Sequence, residues 1–137
     1  MHSAPQPDWV CSLAYSPDGT TVAVGLSNSD VRLLWAGDGA HFQTLTGHTN
    51  WVYAVAYSPD GQTLATGSDD KTVRLWRLSD GVLLHLAPQP ERVWSLAYSP
   101  DGTTIAVGLD NSTSLWSRGG PSDVRLLWAC DGAHFQT

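Results

Sequence analysis

The chain has 137 residues, 42% of them hydrophobic and 15% charged, which suits one ordinary buried core and argues against disorder. Thirteen Asp and Glu against seven scattered Lys and Arg leave a formal charge of −6, which argues against a nucleic-acid partner. No apolar run approaches the roughly 20 residues of a membrane-spanning helix, and Met1–Val10 lacks the basic and apolar regions of a signal peptide, so a cytoplasmic location with no membrane partner is expected.

From the N-terminus, the first element to recur is Tyr-Ser-Pro-Asp-Gly, at Tyr15–Gly19, Tyr57–Gly61 and Tyr98–Gly102, in steps of 42 and 41 residues. A fixed period of this size marks a stacked repeat, and three copies fill the chain. The second copy is the most complete. Trp51–Tyr57 has the β-branched and aromatic content of a buried strand, and the Ser-Pro-Asp-Gly run at 58–61 stops it in a tight hairpin turn. Gln62–Gly67 reads as the returning strand, 69–71 as the next turn, Thr72–Trp76 as a third strand, and 79–81 as a turn into a fourth strand at Val82–Leu86. Four short antiparallel strands form one small twisted sheet. Such a sheet cannot hide both faces alone and must stack on a copy of itself.

Gly47-His48, then Tyr57–Gly61, then Ser68–Trp76 (SDDKTVRLW) together resemble a nearly complete WD40 repeat. The resemblance covers the whole chain with declining quality. It implies an all-β fold of four-stranded antiparallel blades, an incomplete β-propeller of about three blades. Blade one is expected at about 8–46, blade two at about 50–87, and blade three at about 91–137 with an insert at 113–122. In this family a blade is locked by hydrogen-bonded His, Ser or Thr, Asp and Trp, which places the set on His48, Thr66 (or Ser68), Asp70 and Trp76. An indole donor, a hydroxyl, an imidazole and a carboxylate can satisfy one another where water is excluded. The same residue types could suggest a Ser/His/Asp hydrolase, but no G-x-S-x-G elbow is present, and the structural reading is preferred.

Blades one and three depart from this pattern. They carry Pro5-Gln6 and Pro88-Gln89 in place of Gly47-His48, and Val24 and Val107 in place of Thr66, so their locking set is missing. Ala4–Leu26 and Ala87–Leu109 are identical at 19 of 23 positions, and Ser29–Thr44 returns as Ser122–Thr137 with only Gly37 changed to Cys130. The second match is offset by ten more residues than the first, so blade three contains an insert, Thr113–Ser122. Either Thr113–Ser117 takes the third-strand slot, or the insert is a loop and Asp123–Trp128 remains third. Both ends cut a blade, so the chain is expected to be part of a longer protein or a unit that self-associates through its open edges, two copies making about six blades.

The function expected from the resemblance is a protein-interaction scaffold whose partners are other proteins, with no catalytic residues, no metal and no cofactor. The alternatives are a small lectin-like oligomeric propeller that binds glycans and a non-catalytic piece of a propeller enzyme. Only four positions separate Ala4–Leu26 from Ala87–Leu109, and the two drastic changes are Trp9 to Arg92 and Cys11 to Trp94, two residues apart on the first strand; blade two offers Trp51 and Tyr53 there. In WD40-like proteins this strand start lies at the channel rim, so Trp9, Cys11, Trp51, Tyr53, Arg92 and Trp94 are the candidate partner-binding patch. Other features have bland readings. The seven Trp are chiefly structural, with Trp35, Trp116 and Trp128 at or beside the Trp76 slot. Asp69, Asp70 and Asp80 mark turns rather than a calcium loop. Cys11 and Cys130 are idle thiols, and His41 and His134 repeat a packing position.

Overall fold

The chain is described by a computed structural model that defines residues 3–110, 123–128 and 135–136. Among the described residues there are twelve strands and no helix, arranged as two complete four-stranded antiparallel sheets and a partial third. The first sheet runs β1 (Val10–Tyr15), β2 (Thr21–Leu26), β3 (Val31–Trp35) and β4 (His41–Leu45), in that spatial order. The second runs β5 (Val52–Tyr57), β6 (Thr63–Ser68), β7 (Thr72–Arg77) and β8 (Val82–Pro88). The third contains β9 (Arg92–Tyr98), β10 (Thr104–Asp110), β11 (Asp123–Trp128) and the short β12 (Phe135–Gln136). Because β11 pairs with β10 from Thr104↔Trp128 to Leu109↔Asp123, Asp123–Trp128 fills the third slot. Thr113–Ser117, the other candidate for that slot, lies outside the described residues.

The repeated pentapeptide makes the same turn three times. In the second sheet Gly61 N–H donates to the Ser58 carbonyl at 2.9 Å with Gly61 at φ 74°, a conformation that only glycine adopts without strain. Asp60 accepts from the Ser58 hydroxyl at 2.6 Å and from the Gln62 N–H at 3.0 Å, so its carboxylate closes the turn from inside. Gly19 and Gly102 repeat the conformation, and the equivalent bonds hold Asp18 and Asp101 down to about 2, through the Ser16 and Ser99 hydroxyls first.

Strand alternation sorts side chains onto two faces of each sheet. On β6, Leu64, Thr66 and Ser68 face blade one, while Ala65 and Gly67 face blade three. The core therefore lies between sheets rather than within one. Ala23, Leu33 and Leu45 of blade one pack with Val52, Val55, Leu64 and Trp76 of blade two. Ala65, Val73 and Leu75 of blade two pack with Val93, Ile105, Val107 and Leu109 of blade three.

Two contacts set each joint. Val52 sits against Gly25 and Val93 against Gly67, so closely that a Cβ on Gly25 would lie 2.7 Å from the Val52 carbonyl oxygen and one on Gly67 would strike the Val93 side chain. At the other end of the strands, Tyr57 Oη and Thr21 Oγ1 share a hydrogen bond of 2.8 Å, and Tyr98 Oη and Thr63 Oγ1 share one of 3.0 Å. The valine fixes the spacing of the sheets and the phenol fixes their register.

Gly67→Val is expected to destabilise the protein by about 1–3 kcal/mol through overpacking against Val93, whereas Gly37→Ala, with nothing within 4 Å of its Cβ, should change stability by less than about 0.5 kcal/mol. Urea unfolding curves of the two variants check this; equal effects would mean that the blades do not meet at Gly67.

Candidate functional site

Two constellations carry polar or exposed aromatic chemistry, one buried in the joint between blades one and two and the other on the edge formed by the starts of the first strands. The buried one begins at Trp76 on β7, which stands opposite Leu64 and aims its indole toward β6. Trp76 Nε1–H donates to Thr66 Oγ1 at 2.9 Å, Thr66 Oγ1 lies 2.7 Å from His48 Nε2, and His48 Nδ1 lies 2.9 Å from Asp70 Oδ2. An indole can only donate, so Thr66 accepts from Trp76 and its own proton is available to His48 Nε2; His48 Nδ1–H then donates to Asp70. Every polar atom in the chain of bonds is used. Ser68, the other hydroxyl considered for this set, instead donates to the Asn50 carbonyl at 3.0 Å and receives the Asp70 N–H at 3.0 Å, which braces the turn that presents Asp70.

Asp70 is the anchor. Burial opposes its ionisation, but hydrogen bonds from His48 and Thr72, the adjacent imidazole, and the Thr49 N–H overcome that penalty and hold the carboxyl well below the usual carboxylate range. Thr72 Oγ1 donates to Asp70 Oδ1 at 2.6 Å, and Arg74 approaches Oδ2 at 4.0 Å. The Thr66 hydroxyl is fully buried, accepts from Trp76 Nε1–H and commits its proton to His48. The bonds join the His48 segment to β6, β7 and the turn between them, as a lock on the blade does.

Blades one and three hold the same position differently. In blade one Val24 replaces Thr66 and Leu34, opposite Val22, takes the slot of Trp76; Gln6 stands where His48 would, and Arg32 Nη1 donates to its Oε1 at 3.0 Å. The arginine–glutamine pair was not anticipated from the sequence, although the Val-Arg-Leu run common to all three blades carries the signal. In blade three Gln89 is buried and donates to the Ala87 carbonyl at 3.2 Å, while its Oε1 has no partner among the described residues. Arg125 stands opposite Val107 on the backbone ladder just as Arg32 stands opposite Val24.

The exposed constellation is a run of rings across three blades. Trp9 meets Trp51 edge-on with centroids 5.8 Å apart, Trp51 lies 6.2 Å from Tyr53, Tyr53 lies 4.9 Å from Trp94, and the Arg92 guanidinium covers Trp94 at 5.2 Å. Arg92 also donates to Asp69 at 3.3 Å, which ties the end of the run to the turn of blade two. Plain strand alternation predicts that residues two apart on the first strand share a face, but each first strand is bulged here. The ladder skips Cys11 between Val10 and Ser12, Tyr53 between Val52 and Ala54, and Trp94 between Val93 and Ser95. A bulge re-aims the extra side chain out of the ladder. Cys11 occupies the matching bulge of blade one but adds only a half-buried thiol, its Sγ 3.9 Å from the Trp9 carbonyl. Burial, and then the nearby Asp8 carboxylate, push that thiol up from its ordinary value, so it is a poor nucleophile.

The remaining candidates are placed as follows. Trp35 lies one residue past the Trp76 slot, opposite Thr21, and stacks on Phe42 with centroids 4.3 Å apart on the surface. His41 is exposed and pairs with Thr44 at 2.8 Å instead of packing inward. Asp80 is bound by Arg77 at 2.8 Å in an exposed pair. Trp116, Cys130 and His134 lie outside the described residues. Among the described residues, no three His, Cys, Asp or Glu side chains are grouped as a metal would require.

Residues 2–33, 39–77 and 82–117 match the family model described as WD domain, G-beta repeat. The third match ends before β11, so it reads the pattern through 113–117, whereas the backbone pairs Asp123–Trp128 with β10. No curated protein matches the chain.

His48→Ala and Trp76→Ala are each expected to cost about 2–4 kcal/mol, by orphaning buried partners and opening a cavity, and Gln89→Ala much less. Thermal and urea unfolding rank them, and equal losses would contradict the lock. The carboxylate makes a second, pH-linked prediction. Because the folded Asp70 lies below its ordinary value of 3.8, its contribution is complete above that pH and is lost as the pH falls below it. The stability gap between the wild type and Asp70→Asn should therefore shrink on acidification below about pH 4; a gap independent of pH would show that the charge is not what Asp70 supplies.

Proposed function

We propose that this chain, which belongs to the WD40 repeat family, is a protein-interaction scaffold that captures its partner on the aromatic run from Trp9 to Trp94. Repeats of this family are usually non-catalytic, and domains built from them commonly mediate protein binding. The observation that carries the reading is the continuity of the run: Trp9, Trp51 and Trp94 are all exposed, yet they join through Tyr53 into one surface across three blades. Exposed indoles cost solvation and are seldom gathered by chance, whereas Trp, Tyr and Arg are the side chains that contribute most to binding when a partner covers them. Rigid rings lose little conformational entropy on binding. The scaffold beneath is fixed independently of them, because the lock of blade two and the valine–glycine joints use other residues.

The glycan-binding alternative would need one aromatic repeated at one position of each blade. Positions 9, 51 and 92 carry Trp, Trp and Arg, and positions 11, 53 and 94 carry Cys, Tyr and Trp, so each blade presents a different pair. A non-repeating surface suits a single asymmetric protein partner better than a repeated sugar.

The double variant Trp51→Ala/Trp94→Ala is expected to keep its fold, by circular dichroism and melting, while losing capture of any protein that the unaltered chain retains in affinity purification, by tenfold or more in Kd (about 1.4 kcal/mol or more). Undiminished capture would remove the rim from the proposal, and unfolding would make these rings part of the core.

A further inference from the structure

Each of the two internal joints is built from the same parts. One blade supplies Thr, Ala and Gly at alternate positions of its second strand, which are Thr21, Ala23 and Gly25 at the first joint and Thr63, Ala65 and Gly67 at the second. The next blade supplies, from its first strand, a valine that meets the glycine, a Val or Leu one turn of the pleat further on, and a tyrosine that bonds the threonine: Val52, Val55 and Tyr57, then Val93, Leu96 and Tyr98. Val52 and Val93 are both 0% exposed.

The outer face of blade one carries the receiving half of this joint with no blade against it among the described residues. Val10, Leu13 and Tyr15 are the residues of blade three, Val93, Leu96 and Tyr98, repeated without change. They are 47%, 64% and 70% exposed. Ala4 packs on Val24, Leu26 and Leu34, and beside it is an open apolar hollow lined by Val10, Leu13, Val22 and Trp35. An apolar face of this kind, cut to the shape of a known counterpart, is half of an interface.

The other half stands at the far end of the same chain. Blade three offers Thr104, Ala106 and Gly108, the same three residue types in the same alternation. Ala106 and Gly108 are partly open, where Ala23, Gly25, Ala65 and Gly67 are buried. Beside Gly108 the atoms nearest to an added Cβ all belong to Ser95 of its own blade, so the place taken by the valine of a following blade is empty among the described residues. The third strand is in matching register too: Gly108↔Val124, Ala106↔Leu126 and Thr104↔Trp128 repeat Gly25↔Val31, Ala23↔Leu33 and Thr21↔Trp35 with identical residues.

We infer that the outer face of blade one is covered by blade three of a second copy of this chain, with Val10 seated on Gly108 and Tyr15 bonded to Thr104. The contact is head-to-tail, so a closed dimer uses it twice. Two copies of this three-repeat stretch supply six blades, inside the usual range of about 4 to 8 for a closed propeller. Matching faces rather than exposed strand edges carry the association. The residues that form it are distinct from those of the aromatic run.

The test is sedimentation equilibrium of the full chain, its single-face variants and their mixture. The wild type is expected to be a two-chain species at micromolar concentration. Leu13→Arg, on the outer face of blade one, and Ala106→Arg, on the open face of blade three, should each weaken the dimer at least about tenfold. Mixed together they should form a heterodimer, because one of its two joints then contains no altered face. A variant that merely failed to fold could not complement the other in this way. Tyr15→Phe, which removes one hydroxyl from an exposed ring, provides a gentle check and should weaken the dimer several-fold. The inference is overturned by a monomeric wild type, by a dimer indifferent to Tyr15→Phe and to Leu13→Arg, or by a dimer broken by Leu13→Arg but untouched by Ala106→Arg, which would mean that blade one pairs with itself.

Discussion

Val52 against Gly25 and Val93 against Gly67 are the contacts from which the rest of the structure follows. A four-stranded sheet of this size has two apolar faces and no means of covering either, so its stability is a property of the joint rather than of the sheet. A glycine in one second strand and a valine in the next first strand bring the two backbones close enough for Ala23 or Ala65 to be wholly excluded from water. The tyrosine and threonine at the far end then fix the relative slide of the sheets. The polar lock of blade two depends on this joint as well, since Ala23, Leu33 and Leu45 of blade one cluster with Trp76 and shield its neighbours from water. Without blade one, the bonds among Trp76, Thr66, His48 and Asp70 would compete with solvent and contribute far less.

Among the described residues only one sheet carries that lock. Replacing Thr66 by valine, as blades one and three do at Val24 and Val107, removes the acceptor for an indole and the partner for an imidazole, so His and Trp are no longer useful there. Blade one answers with leucine in the tryptophan slot and with Gln6 bound by Arg32. Blade two is consequently both the central sheet, covered on two faces, and, among the described residues, the one with the most buried polar bonds. The aromatic run at the strand starts is laid over this frame by bulges, which take Cys11, Tyr53 and Trp94 out of the ladder without disturbing the pairs on either side.

Features set by neighbours in sequence were legible before the fold was seen. Tyr-Ser-Pro-Asp-Gly announces a turn because Asp60 and Gly61 act on residues within three positions of themselves, and three such turns give three blades. His48, Thr66, Asp70 and Trp76 could be named from the family resemblance, and the hydrogen bonds join them. Features set across blades were less accessible. Trp35 looks like Trp76 in an alignment, yet the turn before it is no longer than that of blade two, and an extra leucine within β3 puts Leu34 in the slot and Trp35 one residue past it. The Tyr57–Thr21 and Tyr98–Thr63 bonds span 36 and 35 residues, and only the recurrence of Tyr and Thr at one spacing hints at them. Which of two segments fills the third strand of blade three was undecidable from composition, since both contain Leu-Trp. The ladder takes the one that copies Asp30–Trp35.

If the joints and the buried lock of blade two govern stability, protection against native-state amide hydrogen exchange should be distributed accordingly. The amides of β6, in the sheet that carries the buried lock, should exchange slowest and only through global unfolding, with β2 of blade one opening at lower free energy because Val24 and Leu34 stand there in place of Thr66 and Trp76. Residue-resolved exchange measured on the unaltered chain reads this directly. Equal protection in β2, β6 and β10, or greater protection in β2 than in β6, would contradict the account.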